Sequence, residues 1–363
     1  MSWRWLLAGA VLLPVLVALG IPPGQAVRVP VGPPQRVAAI TSKVGVHMRL
    51  TDEVDAWKIK HSFEMAREMG ATWAVEYFPW PYIEGEAKGV YNWEHADLVV
   101  AHAKAQGLTL IARLDGVPRW ARPEESTWRS IEPDHYDDFA AFVYAFVRRY
   151  RGLLRHYIIW NEPNLSLEWG GRPPDPAGYT ELLRRAYRRA KEADPDCVIL
   201  AAGLSPTLEG YGSDWGLNEL VYLQAMYDAG ARDCFDALAI HAYGWTSAVD
   251  EPADPQRINF ARAQLIRDVM LRNGDGHKPC FITEGGWNDH PRWVMAVSPA
   301  RRVMNTLGAY RLVEQWEWCR AFCVWCFRLP VRARNFNDYY TLVTVDFTPK
   351  PLYLELQKYA RGW

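Results

Sequence analysis

Two glutamates carry the first chemical signal in this chain. Glu162 stands in "YIIWNEPN", directly behind an apolar run, between Asn161 and Pro163. Glu284 stands in "FITEGGW", again at the end of an apolar run. A solvated carboxylate gains nothing from a preceding Trp-Asn and a following Pro. A carboxylate delivered to a shared centre does, because one member of such a pair can move a proton while the other meets a developing positive charge. The two are 122 positions apart (284 − 162), so only a fold can bring them together.

The elements that would do so repeat. Short runs rich in β-branched and apolar residues recur at 44–48, 72–78, 108–114, 157–160, 198–202, 237–240, 280–283 and 322–327. Between them lie segments of helical period at 57–70, 94–106, 135–150, 177–193, 218–229, 255–272 and 300–318, with a last one at 353–359. In the third of these, Phe139, Phe142, Val143, Phe146 and Val147 recur at three-and-four spacing while Arg148 and Arg149 face away. Strands apolar on both faces, alternating with amphipathic helices, imply a parallel sheet covered by helices. Eight such units predict an α/β protein with a single (β/α)8 TIM barrel over 43–363. An open doubly wound sheet is the alternative, but no G-x-G-x-x-G follows the first strand.

In a barrel, function sits where strands end. Besides Asn161 and Glu162 after the fourth run, the sixth ends in "IHAYGW", with His241, Tyr243 and Trp245, and the eighth carries Trp325. Two carboxylates at one barrel mouth are what cleavage of a glycosidic bond requires, an acid at the leaving oxygen and a second group at the anomeric carbon. Composition agrees with a carbohydrate partner. The chain has 18 Trp and 18 Tyr among 363 residues, and flat amphipathic rings suit sugar faces. A net charge of −1 gives no footprint for nucleic acid.

"WNEPN" after a fourth strand, "ITEGGW" on a seventh, His-x-Tyr on the sixth and a Trp on the eighth resemble the retaining glycoside hydrolases of clan A. The family 39 enzymes (β-xylosidases and bacterial exopolysaccharide hydrolases) are nearest, and family 5 cellulase-like proteins are next. The likeness covers roughly residues 43–361, including the closing "TPKPLYLELQKYA". It implies Glu162 as general acid and base, protonated near neutral pH, and Glu284 as nucleophile, with the carboxyls about 5 Å apart. It implies that Asn161 meets the sugar's 2-hydroxyl, that Tyr243 donates to the nucleophile and that Trp325 floors the site. His241 would line the same mouth or be a satisfied core residue. Trp80, Trp120, Trp169, Trp245 and Trp287 follow strand ends, and Trp80 and Trp287 are taken as substrate-binding. Such enzymes often carry an arginine at the end of the second strand. Here "VEYFPW" places Glu76 there, and the spacing of Arg113, on the third run, does not allow it that role, so support for the nucleophile is expected to be built differently.

The N-terminus differs from the rest. One basic residue, Arg4, precedes an uncharged apolar stretch from Trp5 to Ile21, with small Gly24 and Ala26 after it. This is the layout of a secretory signal peptide over 1–26, with an uncleaved membrane anchor as the alternative. A Pro-rich spacer is expected over 27–42. The expected location is outside the cytoplasm, and membrane association is expected only if the segment is retained. Cys319, Cys323 and Cys326 lack a fourth ligand at tetrahedral spacing, so no metal and no other cofactor is expected. Oxidation of the six cysteines to one or two disulfides stays open, as do the sugar, endo or exo action, and the oligomeric state. A catalytically idle exopolysaccharide-binding barrel and a transglycosylase using the same glutamates are the competing functions.

Overall fold

The computed structural model describes residues 29–363; the segment expected to be a signal peptide lies outside the described residues. Eight strands, β1 (Val44–His47), β2 (Trp73–Pro79), β3 (Thr109–Asp115), β4 (His156–Ile159), β5 (Val198–Ala201), β6 (Ala237–Tyr243), β7 (Cys280–Gly286) and β8 (Cys319–Trp325), pair in sequence order. Every pairing is parallel, and β1 closes on β8 with His47 opposite Trp325. The expected (β/α)8 barrel is therefore the fold. Residues Val31–Trp363 form one compact unit.

Eight helices of ten or more residues cover the sheet: α1 (Ala56–Met69), α2 (Glu94–Ala105), α3 (Tyr136–Arg149), α4 (Pro176–Ala193), α5 (Glu219–Asp228), α6 (Arg262–Arg272), α7 (Pro299–Gln315) and α8 (Pro351–Arg361). Their apolar stripes explain their placement. In α3, Phe139, Phe142, Val143, Phe146 and Val147 are buried, and Phe146 meets Phe78 of β2 and Tyr157 of β4 edge-on. Pro at the first helical position starts α4 and α7, and the side chains of Asp175 and Ser298 accept backbone N–H bonds there. The described part of the Pro-rich segment has neither helix nor strand. It lies along the barrel, with Gln35 bonding the Glu64 carbonyl and Ile40 N–H bonding the Ala360 carbonyl.

Some boundaries differ from expectation, and two differences matter for the site. Both β6 and β7 run three residues further than their apolar runs suggested, so His241, Tyr243 and Glu284 lie within strands. Backbone pairing continues through these polar side chains because they point into the barrel mouth rather than into an apolar layer.

Inside the barrel, Val75, Ile111, Ile158, Leu200, Ala237, Ala239, Phe281, Ala321 and Cys323 pack together, which fixes the inward parity of each strand. Gly45 of β1 faces them. A Cβ there would lie 2.4 Å from Cys323 Sγ and 3.0 Å from Trp73 Cβ. All six cysteines are buried and free. Among the described residues, Cys319, Cys323 and Cys326 form no cluster able to hold a metal ion. Gly45→Ala should destabilise the barrel by about 1–3 kcal/mol through overpacking. Denaturant unfolding would measure this, and adding Cys323→Ala, which removes the sulfur that the new methyl meets, should return part of the loss.

Candidate active site

Parity along the strands decides which polar residues enter the mouth. On β3, Ile111 lies in the inner core, so Arg113 and Asp115, two and four residues on, point the same way. On β6, Ala237 and Ala239 point inward, and His241 and Tyr243 follow. β7 would not do the same unaided. Phe281 points inward, which would turn Glu284 out toward the helices. The β6–β7 register shifts between Ile240 and His241, pairing Ile240 with Ile282 but His241 with Glu284. That bulge inserts Thr283 as an extra residue and brings Glu284 inside.

The fourth strand solves the same problem with backbone conformation. Trp160 has φ 75°, turning its ring outward against Phe139 and Trp169, where its indole N–H bonds the Glu168 carbonyl. Asn161 then enters the mouth, and Glu162 follows with φ 39°, its N–H on the Gly203 carbonyl. Two successive left-handed excursions in non-glycine residues cost of order 1–3 kcal/mol each, and such outliers persist where surrounding structure fixes them.

These devices bring the predicted residues together. His241 Nδ1 lies 2.8 Å from Glu162 Oε1 and 4.0 Å from Glu284 Oε2. These two oxygens are therefore at most 6.8 Å apart (2.8 + 4.0), a bound that admits the ~5–5.5 Å spacing of a retaining pair and excludes most of the ~6.5–9.5 Å range of an inverting pair. The Tyr243 hydroxyl donates to Glu284 Oε2 at 2.9 Å. Arg113 Nη1 donates to Glu284 Oε1 at 2.9 Å and to Asn161 Oδ1 at 2.8 Å. Trp325 is half-buried beside Tyr340, ring centroids 5.0 Å apart, and Tyr340 also packs on Tyr243.

Three expectations need correcting. Arg113 does support the predicted nucleophile: a side chain from β3 crosses the mouth to β7, a contact that chain spacing cannot reveal. Glu76 takes no part there; it is buried under the loop after β1, accepting from Leu50 N–H at 2.8 Å and Thr51 Oγ1 at 2.9 Å. Trp80 and Trp287 offer no face to a substrate. Trp80 is fully enclosed among Trp120, Phe139 and Phe142 with its N–H on Glu84; Trp287 stacks on Phe260 with its N–H on the Ser247 carbonyl.

Other groups at the mouth were not anticipated. His47 of β1 lies 3.4 Å from Glu284 Oε1. Asp115 meets Arg113 Nε at 3.0 Å and also contacts Arg129, whose Nε is 3.0 Å from Glu168. The signal available for Arg113 and Asp115 was "LIARLDG", two charges at alternate positions of an otherwise apolar strand.

Burial and charge compete throughout. Burial raises the Glu284 carboxyl, but the fields of His241, His47 and Arg113 and the Tyr243 hydrogen bond outweigh it and pull it down to about 2. Burial lowers the His241 imidazole, but Glu284 and the bond to Glu162 outweigh that and leave it raised. For His47 burial wins, and it falls to about 3. Burial, with Arg129 opposing it and Glu162 adding to it, lifts Glu168 to about 7. Glu284 therefore adds stability above the ordinary carboxylate range that fades as pH falls toward 2. His241 adds stability present below its ordinary 6.5 and lost as pH rises through its higher folded value.

No family model matches the chain, and no curated protein does. Solved structures do. The barrel is similar to a family 39 glycoside hydrolase from the gut symbiont Bacteroides cellulosilyticus WH2, with a TM-score of 0.70 at 19% identity over 90% of this chain and 65% of that one. Its fold is one that family 39 uses. A monomeric beta-xylosidase from Caulobacter crescentus CB15 aligns with a TM-score of 0.63 at 19% identity, over 89% of this chain and 69% of that one. GH5_18 from Streptomyces cattleya, solved in complex with GlcNAc, aligns at 0.66 and 15%, over 90% of this chain and 81% of that one. At these identities the likeness is one of fold.

Replacing Glu284 by Gln removes the foremost influence that raises His241. The imidazole should then titrate below its wild-type value, as burial takes over, and NMR of the His241 ring against pH would show it. An unchanged titration would mean that Glu284 does not set the charge of this site.

Proposed function

We propose that this chain is a retaining β-glycoside hydrolase acting by double displacement, exported by way of residues 1–26. One observation carries the mechanism: His241 Nδ1 holds Glu162 at 2.8 Å while standing 4.0 Å from Glu284, which Arg113 and Tyr243 keep ionised. The acid and the nucleophile are thereby different in kind, although both are glutamates in one mouth.

In the first step, Glu162 gives a proton to the glycosidic oxygen as a Glu284 oxygen bonds to the anomeric carbon. The bond between that carbon and the leaving oxygen breaks, and the leaving sugar departs as an alcohol. In the second step, Glu162, now a carboxylate, takes a proton from water. The water oxygen bonds to the anomeric carbon, and Glu284 leaves as the carboxylate it was. His241 Nδ1, 2.8 Å from Glu162 Oε1, fixes the orientation of that carboxyl in the mouth. Asn161 has a fixed orientation: its oxygen is occupied by Arg113, so its NH2 is left to donate to a substrate hydroxyl. Trp325 supplies an apolar wall for the ring.

Incubation with a panel of activated 2-fluoro β-glycosides should arrest the protein as a covalent adduct on Glu284, located by peptide mass spectrometry. Glu284→Ala should be inert. Glu162→Gln should lose about 10²–10⁴-fold in turnover of glycosides with poor leaving groups, and much less in the first step with activated aryl glycosides, which need little proton assistance. Equal inactivity of wild type and Glu284→Ala across β-glycosyl types would sink the proposal.

A further inference from the structure

Most arginines that burial has partly removed from water have a protein partner; among the described residues the half-buried Arg49 and Arg122 have none, and of these two only Arg49 has a nitrogen shielded from solvent without a hydrogen bond. Arg113, Arg129, Arg262, Arg302 and Arg328 each face a carboxylate. Arg267 and Arg67 spend their N–H groups on backbone carbonyls. Arg49 is half-buried, and among the described residues it has neither kind of partner; its Nε is shielded from solvent and makes no hydrogen bond. A guanidinium cannot shed its charge, and leaving a buried donor unmatched costs roughly 1–3 kcal/mol, more for a charged group. The acid close by does not answer it, because the oxygens of Glu76 are committed to Leu50 N–H and Thr51 Oγ1.

Its backbone gives a second, independent sign. Arg49 has φ 63°, in the left-handed region, where glycine would sit without strain. It shares this conformation with Trp160 and Glu162, the residues that aim the fourth strand's end into the mouth. A long charged side chain where glycine is favoured points to a requirement for the side chain itself.

Its position indicates what it would meet. Arg49 leaves the barrel two residues after His47, which is 3.4 Å from Glu284. Its charge is felt by His47 on β1, Tyr82 after β2 and Cys326 after β8. These belong to the wall that joins the nucleophile's side of the mouth through β8 and Trp325. Glu162, where the leaving group must be, stands on the other wall. The sugar retained on the nucleophile, or the residue beyond it, therefore lies toward Arg49.

We propose that Arg49 is a specificity residue that receives the carboxylate of a hexuronic acid on the retained side of the scissile bond. The guanidinium fork matches a carboxylate with two parallel hydrogen bonds, and the ligand supplies the counter-charge that the protein omits. This deepens the glycoside-hydrolase reading and rests on it for the side of the mouth assigned to the retained sugar.

Binding tests it without turnover. The full chain is titrated calorimetrically with three sulfur-linked, uncleavable β-disaccharides that differ only at C6 of the non-reducing ring: a carboxylate, a hydroxymethyl group and a 6-sulfate. The carboxylate should bind roughly 10–100-fold tighter than the neutral sugar. Arg49→Gly should reduce it to the neutral sugar's affinity while leaving the neutral Kd unchanged, and its Tm should not fall, because glycine accepts the local backbone. Arg49→Lys should keep part of the preference, since it keeps the charge without the fork. Equal or better binding of the neutral sugar, a preference that survives Arg49→Gly, tighter binding of the sulfate, or no binding of any of the three would each overturn the assignment. A carboxylated sugar that binds through Arg49, while its oxygen-linked counterpart is never cleaved, would leave this inference standing and remove the hydrolytic one.

Discussion

The site depends on a single guanidinium group. Arg113 Nη1 bonds the Glu284 carboxylate and the Asn161 oxygen at once, tying the seventh strand to the fourth across the mouth from the third. Its Nε faces Asp115, and the Tyr77 ring lies 4.7 Å from its central carbon. It acts with His241, His47 and Tyr243: burial pushes the Glu284 carboxyl toward the neutral form, and these partners together with Arg113 hold it down. The same nitrogen therefore pairs the Glu284 charge inside the mouth and holds the Asn161 amide by its oxygen.

Such a buried cation must itself be kept charged and in place, which explains the shell behind it. Asp115 answers Arg113 and Arg129 together, and Arg129 in turn meets Glu168. The chain of alternating charges runs from Glu284 around to the loop that follows Glu162. Each member along it faces an opposite charge. Glu168, its last member, is raised by burial and, to a lesser extent, by the nearby Glu162, against the opposing Arg129. Arg49 is the exception to local balance at the mouth, and that imbalance distinguishes a place for ligand charge from a place already filled by the protein.

Much of the barrel was legible because its signals are local. Apolar runs and period-3.6 patterning put strands and helices at their places within a few residues, apart from the helix expected from 255, which begins at Arg262, and "WNEPN" and "ITEGGW" marked the two glutamates. What escaped was set by parity and by contacts across the mouth. The inward aim of Glu284 comes from one extra residue at Thr283, and nothing in "FITEGGW" distinguishes a bulged strand from a regular one. The Arg113 contact joins residues 171 positions apart, so its spacing along the chain carried no information about its reach. Trp80 and Trp287 misled for the opposite reason. A tryptophan after a strand end can face the mouth or turn back under a loop, and both here turn back because Glu84 and the Ser247 carbonyl capture their indole N–H groups.

The two ways in which the strands present their glutamates also differ in consequence. Glu284 lies within β7, where pairing to β6 resumes immediately beyond the bulge through Glu284, Gly285 and Gly286. Glu162 lies beyond the end of β4, on backbone of unusual conformation, secured by its N–H to Gly203 and its side chain to His241. The His241 ring fits there only because residue 203 lacks a side chain; a Cβ would stand 2.3 Å from the ring. The two glutamates are thus supported unequally: Glu284 lies on its strand and accepts from the side chains of Arg113 and Tyr243, whereas Glu162 is secured by His241 and by its backbone bond to Gly203.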